Sequence, residues 1–477
     1  MNIQREEPTF LWYDLETFGL NSHFDRIAQF AAIRTTLDFE PIGEELVYYC
    51  KPSSDYLPNV EACLVTGITP QECEEKGMIE KKFIKKINDE FSVPNTIVVG
   101  FNSIKFDDEF IRNALYRNLE DPYKREYSYG CSRWDVLPLI RATHDLRPEG
   151  ITWPKRKDDG TFSFRLTELT EANKIEQIGA HDALVDVRAT IAVAKLVREK
   201  QPKLFNWSLN LRKKYTVQTK LAKFENDMIA VCDTKFTSKY GCTTLAHSIT
   251  DIPSSSNVFM FDLTKDVQPL IDADVDSILE VDGLFHIAVN KSPFISPSNV
   301  INKATAERLN LDLDKCKENS EIIKNNPQII NNIIQAVANN KYEMATDDAD
   351  FGIYNGFFSN KEKYVFEQIK KASIQEKFKI LNKTKFEDDR SYDLVYRYIN
   401  RNFEAELNAE ERKEWKNFCK NRIKNPPESV ENNLEFYVKK IGEYLKDDET
   451  PAAQRETLHK LQDYGIQLLK RLDSEEL

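Results

Sequence analysis

The sequence lacks any long apolar run, and none approaches the roughly 18 consecutive apolar residues that a membrane-spanning helix needs. The first eight residues include no apolar segment typical of a signal peptide. The eight cysteines have no C-x-x-C spacing, so they indicate neither a zinc site nor a disulfide framework. We therefore expect a cytoplasmic protein with no membrane segment and with buried free thiols.

An excess of positive charge is also absent, because the formal net charge is -12. This charge excludes indiscriminate coating of nucleic acid, but it leaves room for a localised basic groove. The 477 residues, 41% of them hydrophobic, are too many for one core and suffice for about two to four domains. No internal repeat or low-complexity tract is present.

The first chemical signal lies in an apolar and aromatic run, residues 10–19, that includes Asp14 and Glu16. A buried strand would place both acids on one face, about 7 Å apart at roughly 3.3 Å per residue. Burying two unpaired carboxylates costs several kcal/mol, so we expect them to bind a divalent cation such as magnesium or manganese. The alternative is a strand end at which both acids reach the solvent.

More strands and helices are predicted after this run, and one helix begins with further acids. Residues 27–35 and 45–50 predict two more strands of an antiparallel start, residues 80–91 a helix, and residues 96–102 a strand buried on both faces. That strand leads to a helix whose first turn holds Asp107, Asp108 and Glu109. Open α/β sheets bind ligands at the carboxyl ends of their strands, which favours Asp107 as a site carboxylate. We assign Asp108 and Glu109 to the helix dipole.

A third signal stands at the start of a late apolar helix. His181 lies at its entrance and Asp186 follows, so both side chains can face one cavity. A lone histidine is more often structural than catalytic. Residues 112–141 mix cations with aromatic rings, which suits the path of a single-stranded nucleic acid and equally the solvated face of an amphipathic helix.

The order D-x-E, N-x-x-x-F-D and H-x-x-x-x-D resembles the DEDDh exonuclease family, whose nuclease domain has the ribonuclease-H-like fold. The histidine variant is indicated because Asp182 stands where the tyrosine variant would have a tyrosine. Other segments resemble the bacterial exodeoxyribonuclease I family, which removes mononucleotides from the 3′ ends of single-stranded DNA. These segments are residues 17–19, 25–26, 29–34, 50–52, 55–58, 66–70, 132–135, 147–151 and 180–183.

The resemblance implies a role for each site residue. The implied catalytic acids, which would hold two Mg²⁺ ions with Mn²⁺ as a substitute, are Asp14, Glu16, Asp107 and Asp186. His181 would be the general base that deprotonates the attacking water. The implied substrate contacts are Glu16 and Arg165 at the terminal nucleotide and Arg112, Tyr123, Tyr127 and Arg141 along the strand behind it. The ring of Tyr127 is smaller than the family leads us to expect, which keeps stacking but weakens it.

The resemblance also implies three parts in an α/β architecture. These are a ribonuclease-H-like mixed-sheet exonuclease domain over residues 8–200, an SH3-like β-containing domain over 201–355 and an α-helical C-terminal domain over 358–477. The implied activity is processive 3′→5′ degradation of single-stranded DNA to 5′-mononucleotides in DNA repair and recombination. The implied partners are single-stranded DNA and the acidic tail of single-stranded DNA-binding protein, with Arg147 as a candidate contact. A monomer is expected.

Two alternatives remain open. An RNA-trimming or proofreading enzyme of the same superfamily would keep the chemistry and change the substrate, although the two additional domains disfavour it. A non-catalytic adaptor that binds single strands predicts that at least one site acid or His181 is missing, whereas all of them are present.

Overall fold

The computed structural model describes residues 7–156, 158–176, 182–224, 227–236, 239–253, 255–340 and 348–474. The predicted general base, His181, lies outside the described residues. Within these ranges, no helix combines the length and the apolar character needed to cross a lipid bilayer.

A five-stranded mixed sheet forms the centre of the N-terminal part. Its strands are β1 (Thr9–Thr17), β2 (Ile27–Thr35), β3 (Leu46–Tyr49), β4 (Thr96–Gly100) and β5 (Ser132–Asp135). Their order is β3-β2-β1-β4-β5, with β1 to β3 antiparallel and with β4 and β5 parallel to β1. The three predicted antiparallel strands and the buried strand after them are confirmed, as is the mixed sheet.

Helices cover both faces of this sheet, which gives each β1 side chain a defined environment. They are α1 (Val60–Thr66), α2 (Pro70–Lys76), α3 (Glu80–Phe91), α4 (Asp107–Arg117), α5 (Val136–Leu146), α6 (Leu166–Ala172) and α7 (Ala183–Lys200). Because side chains alternate along a strand, Phe10 and Trp12 join the core with α5 and α7, whereas Leu11 and Tyr13 join the core with α3 and α4. Asp14 continues the series of Phe10 and Trp12, so its side chain lies on the α7 face.

A second, all-antiparallel sheet follows, as expected of the SH3-like part. Its strands are β6 (Ile229–Cys232), β7 (Thr243–Asp251), β8 (Asn257–Asp262), β9 (Leu284–Ala288) and β10 (Phe294–Pro297), in the order β10-β6-β7-β8-β9. The accompanying helices are α8 (Pro202–Asn210), α9 (Lys214–Lys223), α10 (Gln268–Asp272), α11 (Lys303–Leu309), α12 (Leu313–Lys324) and α13 (Gln328–Asn339). Ala142 and Leu146 of α5 join the core of this part, so it packs directly on the first.

The C-terminal part is helical, as predicted. Its helices are α14 (Asn360–Lys371), α15 (Ile374–Lys383), α16 (Arg390–Phe403), α17 (Ala409–Lys424), α18 (Leu434–Lys446) and α19 (Ala452–Asp473). It shares a hydrophobic core with the N-terminal part, because Tyr56 and Cys63 pack in one cluster with Trp415, Tyr437 and Leu461. The division of the chain at residues 8–200, 201–355 and 358–477 stays a prediction, since apolar clusters cross between the parts.

A buried ion-pair network joins the same parts. Arg401 Nη2 lies 2.7 Å from Asp55 Oδ2 and 2.6 Å from Asp350 Oδ2, and Arg422 Nη2 lies 2.9 Å from Asp350 Oδ2. Burial alone would raise the pKa of Asp350, but Arg401 and the neighbouring guanidinium groups hold it well below its ordinary value. Asp55 of the N-terminal part is therefore neutralised by a residue of α16.

Candidate active site

Three carboxylates converge where β1 meets α7. Asp14 and Glu16 lie on the α7 face of β1, and Asp186 lies in the first turn of α7. One carboxylate oxygen from each residue lies within 4.8 Å of the others. Packing of Val187 and Ala183 into the core beneath Trp12 explains why the start of α7 is held against this end of β1.

The electrostatics of this group are unfavourable without a cation. Burial raises the pKa of Asp14 well above its ordinary value, and the charges of Asp107 and Asp186 raise it further. Burial, followed by the charges of Asp14 and Asp186, raises the pKa of Glu16 from 4.5 to about 9. Carboxylate oxygens are the ligands that hard divalent cations prefer, and a bound cation would remove this repulsion. The donor set therefore fits a divalent metal centre.

Asp107 lies beside this group at the first position of α4. It is 4% exposed, and burial raises the pKa of its carboxyl, with further contributions from Asp108 and other acids that include Glu16. The loop that leads to it is fixed by Asp135, which accepts hydrogen bonds from the Asn102 and Ile104 amides at 2.8 and 3.3 Å. Asp107 is thus near the three converging carboxylates, although it is not among those within 4.8 Å.

The entrance to α7 is also fixed, directly after the position of His181. Asp182 caps the helix by accepting a hydrogen bond from the Leu184 amide at 3.0 Å. The Ala183 amide donates to Gln29 Oε1 at 3.2 Å, which ties the helix start to β2. Residues 29–34 contributed to the family resemblance, but this role of Gln29 was not predicted, because its partner stands 154 residues away.

Asp108 and Glu109 do more than meet the helix dipole, so the sequence assignment of these two acids is incomplete. Asp108 accepts hydrogen bonds from Tyr13 Oη at 3.0 Å, Arg125 Nη2 at 2.7 Å and Arg133 Nη1 at 2.8 Å. Burial alone would raise the pKa of Asp108, but the two arginines hold it well below its ordinary value. This buried cluster secures α4, and with it Asp107, against β1 and β5.

Glu109 points to a different set of partners. Its carboxylate pairs with Arg112 Nη1 at 2.9 Å and accepts a hydrogen bond from the Tyr354 hydroxyl. Lys291 Nζ lies 3.7 Å from the same carboxylate. Side chains from the loop between β9 and β10 and from the segment before α14 therefore meet at Glu109, two residues after Asp107.

The predicted strand contacts fall into two groups. Arg165, just before α6, and Tyr127 are well exposed, with 72% of the Arg165 side chain and 68% of Tyr127 accessible. Arg112 instead is 4% exposed and binds both Glu126 carboxylate oxygens, at 2.8 and 3.0 Å. Its Cζ lies 5.2 Å from the ring centroid of Tyr123, so Arg112 is placed to support that ring. Its direct contact with a strand stays a prediction that this geometry does not favour.

Two cavities adjoin the site. One of about 490 Å³ lies beside Glu16 and is lined in part by the exposed side chains of Leu20 and Val65. Another of about 430 Å³ is lined by residues of both the first and the second part, among them Arg141, Lys235 and Lys291. The sequence drew attention to Arg141 but gave no reason to single out Leu20, which is 82% exposed.

The chain matches three family models in succession. An exonuclease model covers residues 11–194, an exonuclease I SH3-like domain model residues 212–339 and an exonuclease I C-terminal domain model residues 347–468. Exodeoxyribonuclease I of Haemophilus influenzae is 36% identical over 477 residues, covering 97% of this chain and 99% of that protein.

Solved structures agree in the fold of the whole chain. Escherichia coli exonuclease I in complex with a dA16 oligonucleotide has a TM-score of 0.90 at 34% identity, covering 97% of this chain and all of that one. An ExoI/SSB-Ct complex has a TM-score of 0.88 at 34% identity with the same coverage. With three models matched in order and full-length relatives at this identity, the chain belongs to the exonuclease I family.

Proposed function

We propose that the chain is a processive 3′→5′ exonuclease that hydrolyses single-stranded DNA to 5′-mononucleotides, in DNA repair and recombination, with two divalent ions. The observation that carries the proposal is the convergence of carboxylate oxygens from Asp14, Glu16 and Asp186 within 4.8 Å. The raised pKa values of Asp14 and Glu16 and the hard carboxylate oxygens of all three residues favour Mg²⁺, with Mn²⁺ as a substitute.

Each chain residue then has a proposed task. Bound divalent ions would supply an activated water and stabilisation of the leaving 3′ oxygen. His181 would accept the proton of the attacking water, and the cap at Asp182 would hold the chain that follows it. Asp107, at the start of α4 directly after the loop that Asp135 fixes, would complete the acidic set.

The substrate path follows from the exposed groups. The terminal nucleotide would occupy the cavity beside Glu16, where Leu20 and Val65 offer apolar surface to a base. Arg165, with its exposed guanidinium, would contact that nucleotide. The strand behind it would pass Tyr123, Tyr127 and Arg141.

The second proposed partner is the acidic tail of single-stranded DNA-binding protein, since a relative forms an ExoI/SSB-Ct complex. Arg147 lines a cavity of about 370 Å³ together with Lys203 and Trp207, a combination of cations and apolar surface that suits an acidic peptide. Arg147→Ala should weaken binding of a fluorescent tail peptide, whereas Lys317→Ala, at an exposed position of α12, should not. Unchanged affinity of Arg147→Ala would remove Arg147 from the contact.

The activity is tested with 5′-labelled single-stranded DNA and Mg²⁺, using the native protein, Asp186→Asn and the exposed-site control Glu318→Gln. Native protein and control should shorten the strand from its 3′ end without intermediate ladders under a competitor trap. Asp186→Asn and a chelator should both stop the shortening, while the variant still binds the strand.

Other outcomes select the alternatives. Faster shortening of an RNA strand of the same sequence would favour the RNA-trimming reading. Binding without cleavage by the native protein, with either Mg²⁺ or Mn²⁺, would favour the adaptor. Shortening by one nucleotide per encounter would contradict processivity.

A further inference from the structure

The cavity of about 490 Å³ beside Glu16 has walls from two distant parts of the chain. The N-terminal part contributes Leu20, in the loop after β1, and Val65 on α1, and both side chains are exposed. The C-terminal part contributes the segment 429–432 and Phe436, which lies in the first turn of α18. The last part of the chain therefore borders the cavity that adjoins the three converging carboxylates.

Two contacts with the N-terminal part hold this wall in place, one on each side of Phe436 in the sequence. Before it, the Asn432 side chain donates a hydrogen bond to the backbone carbonyl of Leu57 at 2.8 Å. After it, Lys440 Nζ lies 2.8 Å from Glu61 Oε1 of α1 and 5.4 Å from the ring centroid of Phe436. Because α1 both lines the cavity and binds α18, the fold sets the position of Phe436 relative to α1.

The lining of this cavity suits a nucleobase better than a phosphate. Of the described residues that line it, none is a lysine, arginine or histidine, whereas acids such as Glu61 are present. A phosphate would therefore meet none of the cations that usually bind it. Leu20, Val65 and Phe436 instead offer apolar and aromatic surface, against which a base packs. Since Glu16 belongs both to this lining and to the converging carboxylates, a nucleotide whose phosphate lies at those acids would place its base here.

We propose that Phe436 and Val430 of the C-terminal part form a wall of the pocket for the base of the 3′-terminal nucleotide. The inference rests on the proposed function, because it takes the 3′ end of a single strand as the occupant. It adds that the helical C-terminal part, and not the nuclease domain alone, binds the nucleotide that is removed. Packing against a ring does not depend on which base is terminal, so the pocket accepts each new 3′ end in turn.

The test measures kcat/KM for removal of the first nucleotide from a 5′-labelled oligothymidylate in the presence of Mg²⁺. A second strand differs only at its 3′ end, where tetrahydrofuran, a stable abasic analogue, replaces the terminal nucleoside. The proteins are native protein, Phe436→Ala, Phe436→Tyr and the exposed-ring control Tyr392→Ala. The quantity compared is the ratio of kcat/KM for the intact strand to kcat/KM for the abasic strand. Because one preparation is used for both strands, this ratio does not change if part of a variant is unfolded.

Phe436→Ala should lower this ratio by about 5- to 150-fold, because the terminal base loses an aromatic contact. Phe436→Tyr, which keeps the ring, and Tyr392→Ala should both keep the native ratio. An unchanged ratio in Phe436→Ala, or equal kcat/KM values for the two strands with native protein, would overturn the inference. Native protein that shortens neither strand would instead contradict the proposed function.

Discussion

Replacing Glu16 with glutamine is expected to stabilise the metal-free protein and to abolish its stabilisation by Mg²⁺. Glutamine keeps the size of the side chain and removes the charge that Asp14 and Asp186 repel. The same substitution removes a proposed metal ligand. The size of its effect on stability should therefore depend on whether a chelator or Mg²⁺ is present.

The magnitude follows from the pKa of Glu16, which rises from 4.5 to about 9 on folding. Between these values the folded protein holds a proton that the unfolded chain releases, so the free energy of unfolding falls as the pH rises, by about 1.4 kcal/mol per pH unit. At pH 7 the penalty from Glu16 amounts to about 3 kcal/mol. Glu16→Gln removes it, and the gain should grow from pH 5 to pH 9.

The assay is urea denaturation of native protein, Glu16→Gln and the exposed-site control Glu318→Gln, at several pH values, with EDTA or with Mg²⁺. Mg²⁺ at 100 times its dissociation constant should stabilise the native protein by about 2.7 kcal/mol and leave Glu16→Gln unchanged. A gain in EDTA that does not grow with pH would refute the description of these acids as a buried, mutually repelling group.

Three further predictions concern parts outside the metal cluster. Arg401→Met should lower the free energy of unfolding by about 3–5 kcal/mol in urea denaturation, because Asp55 and Asp350 lose a buried partner, and an unchanged midpoint would contradict this. Asp135→Ala should lower kcat by roughly 10- to 100-fold with little change in strand affinity, because the loop before Asp107 loses its acceptors; Asp135→Asn, which keeps one acceptor oxygen, should recover part of the activity. All eight cysteines are buried, and burial raises the pKa of the Cys73 thiol to about 12. A thiol reagent at pH 8 should therefore label the cysteines only after unfolding, and labelling of the native protein would contradict this packing.

Local pattern was sufficient for the elements that carry the acids. The alternation of side chains along a strand predicted that Asp14 and Glu16 share a face, and in the structure this is the face of Phe10 and Trp12. The helix over residues 80–91 was likewise predicted with the observed bounds. The family resemblance supplied the order of the parts.

Ion pairs between residues distant in the sequence could not be predicted from local sequence pattern. Asp108 looked like a helix-dipole partner because Arg125 and Arg133 are distant in the sequence, and only the fold brings them to it. The sequence suggested that Arg112 is a surface cation, but its guanidinium is buried and forms an ion pair with Glu126. A cation's sequence neighbours do not reveal whether its partner is a phosphate or a carboxylate.

The core shared between the N-terminal part and the last helices has a consequence for synthesis of the protein. A ribosome releases Tyr56 and Cys63 long before Trp415, Tyr437 and Leu461, so the apolar surface of α1 stays uncovered until the chain is almost finished. A message that stops early would yield a chain with this surface exposed, which proteases and chaperones recognise. We therefore expect chains truncated before α17 to be degraded faster than the complete protein.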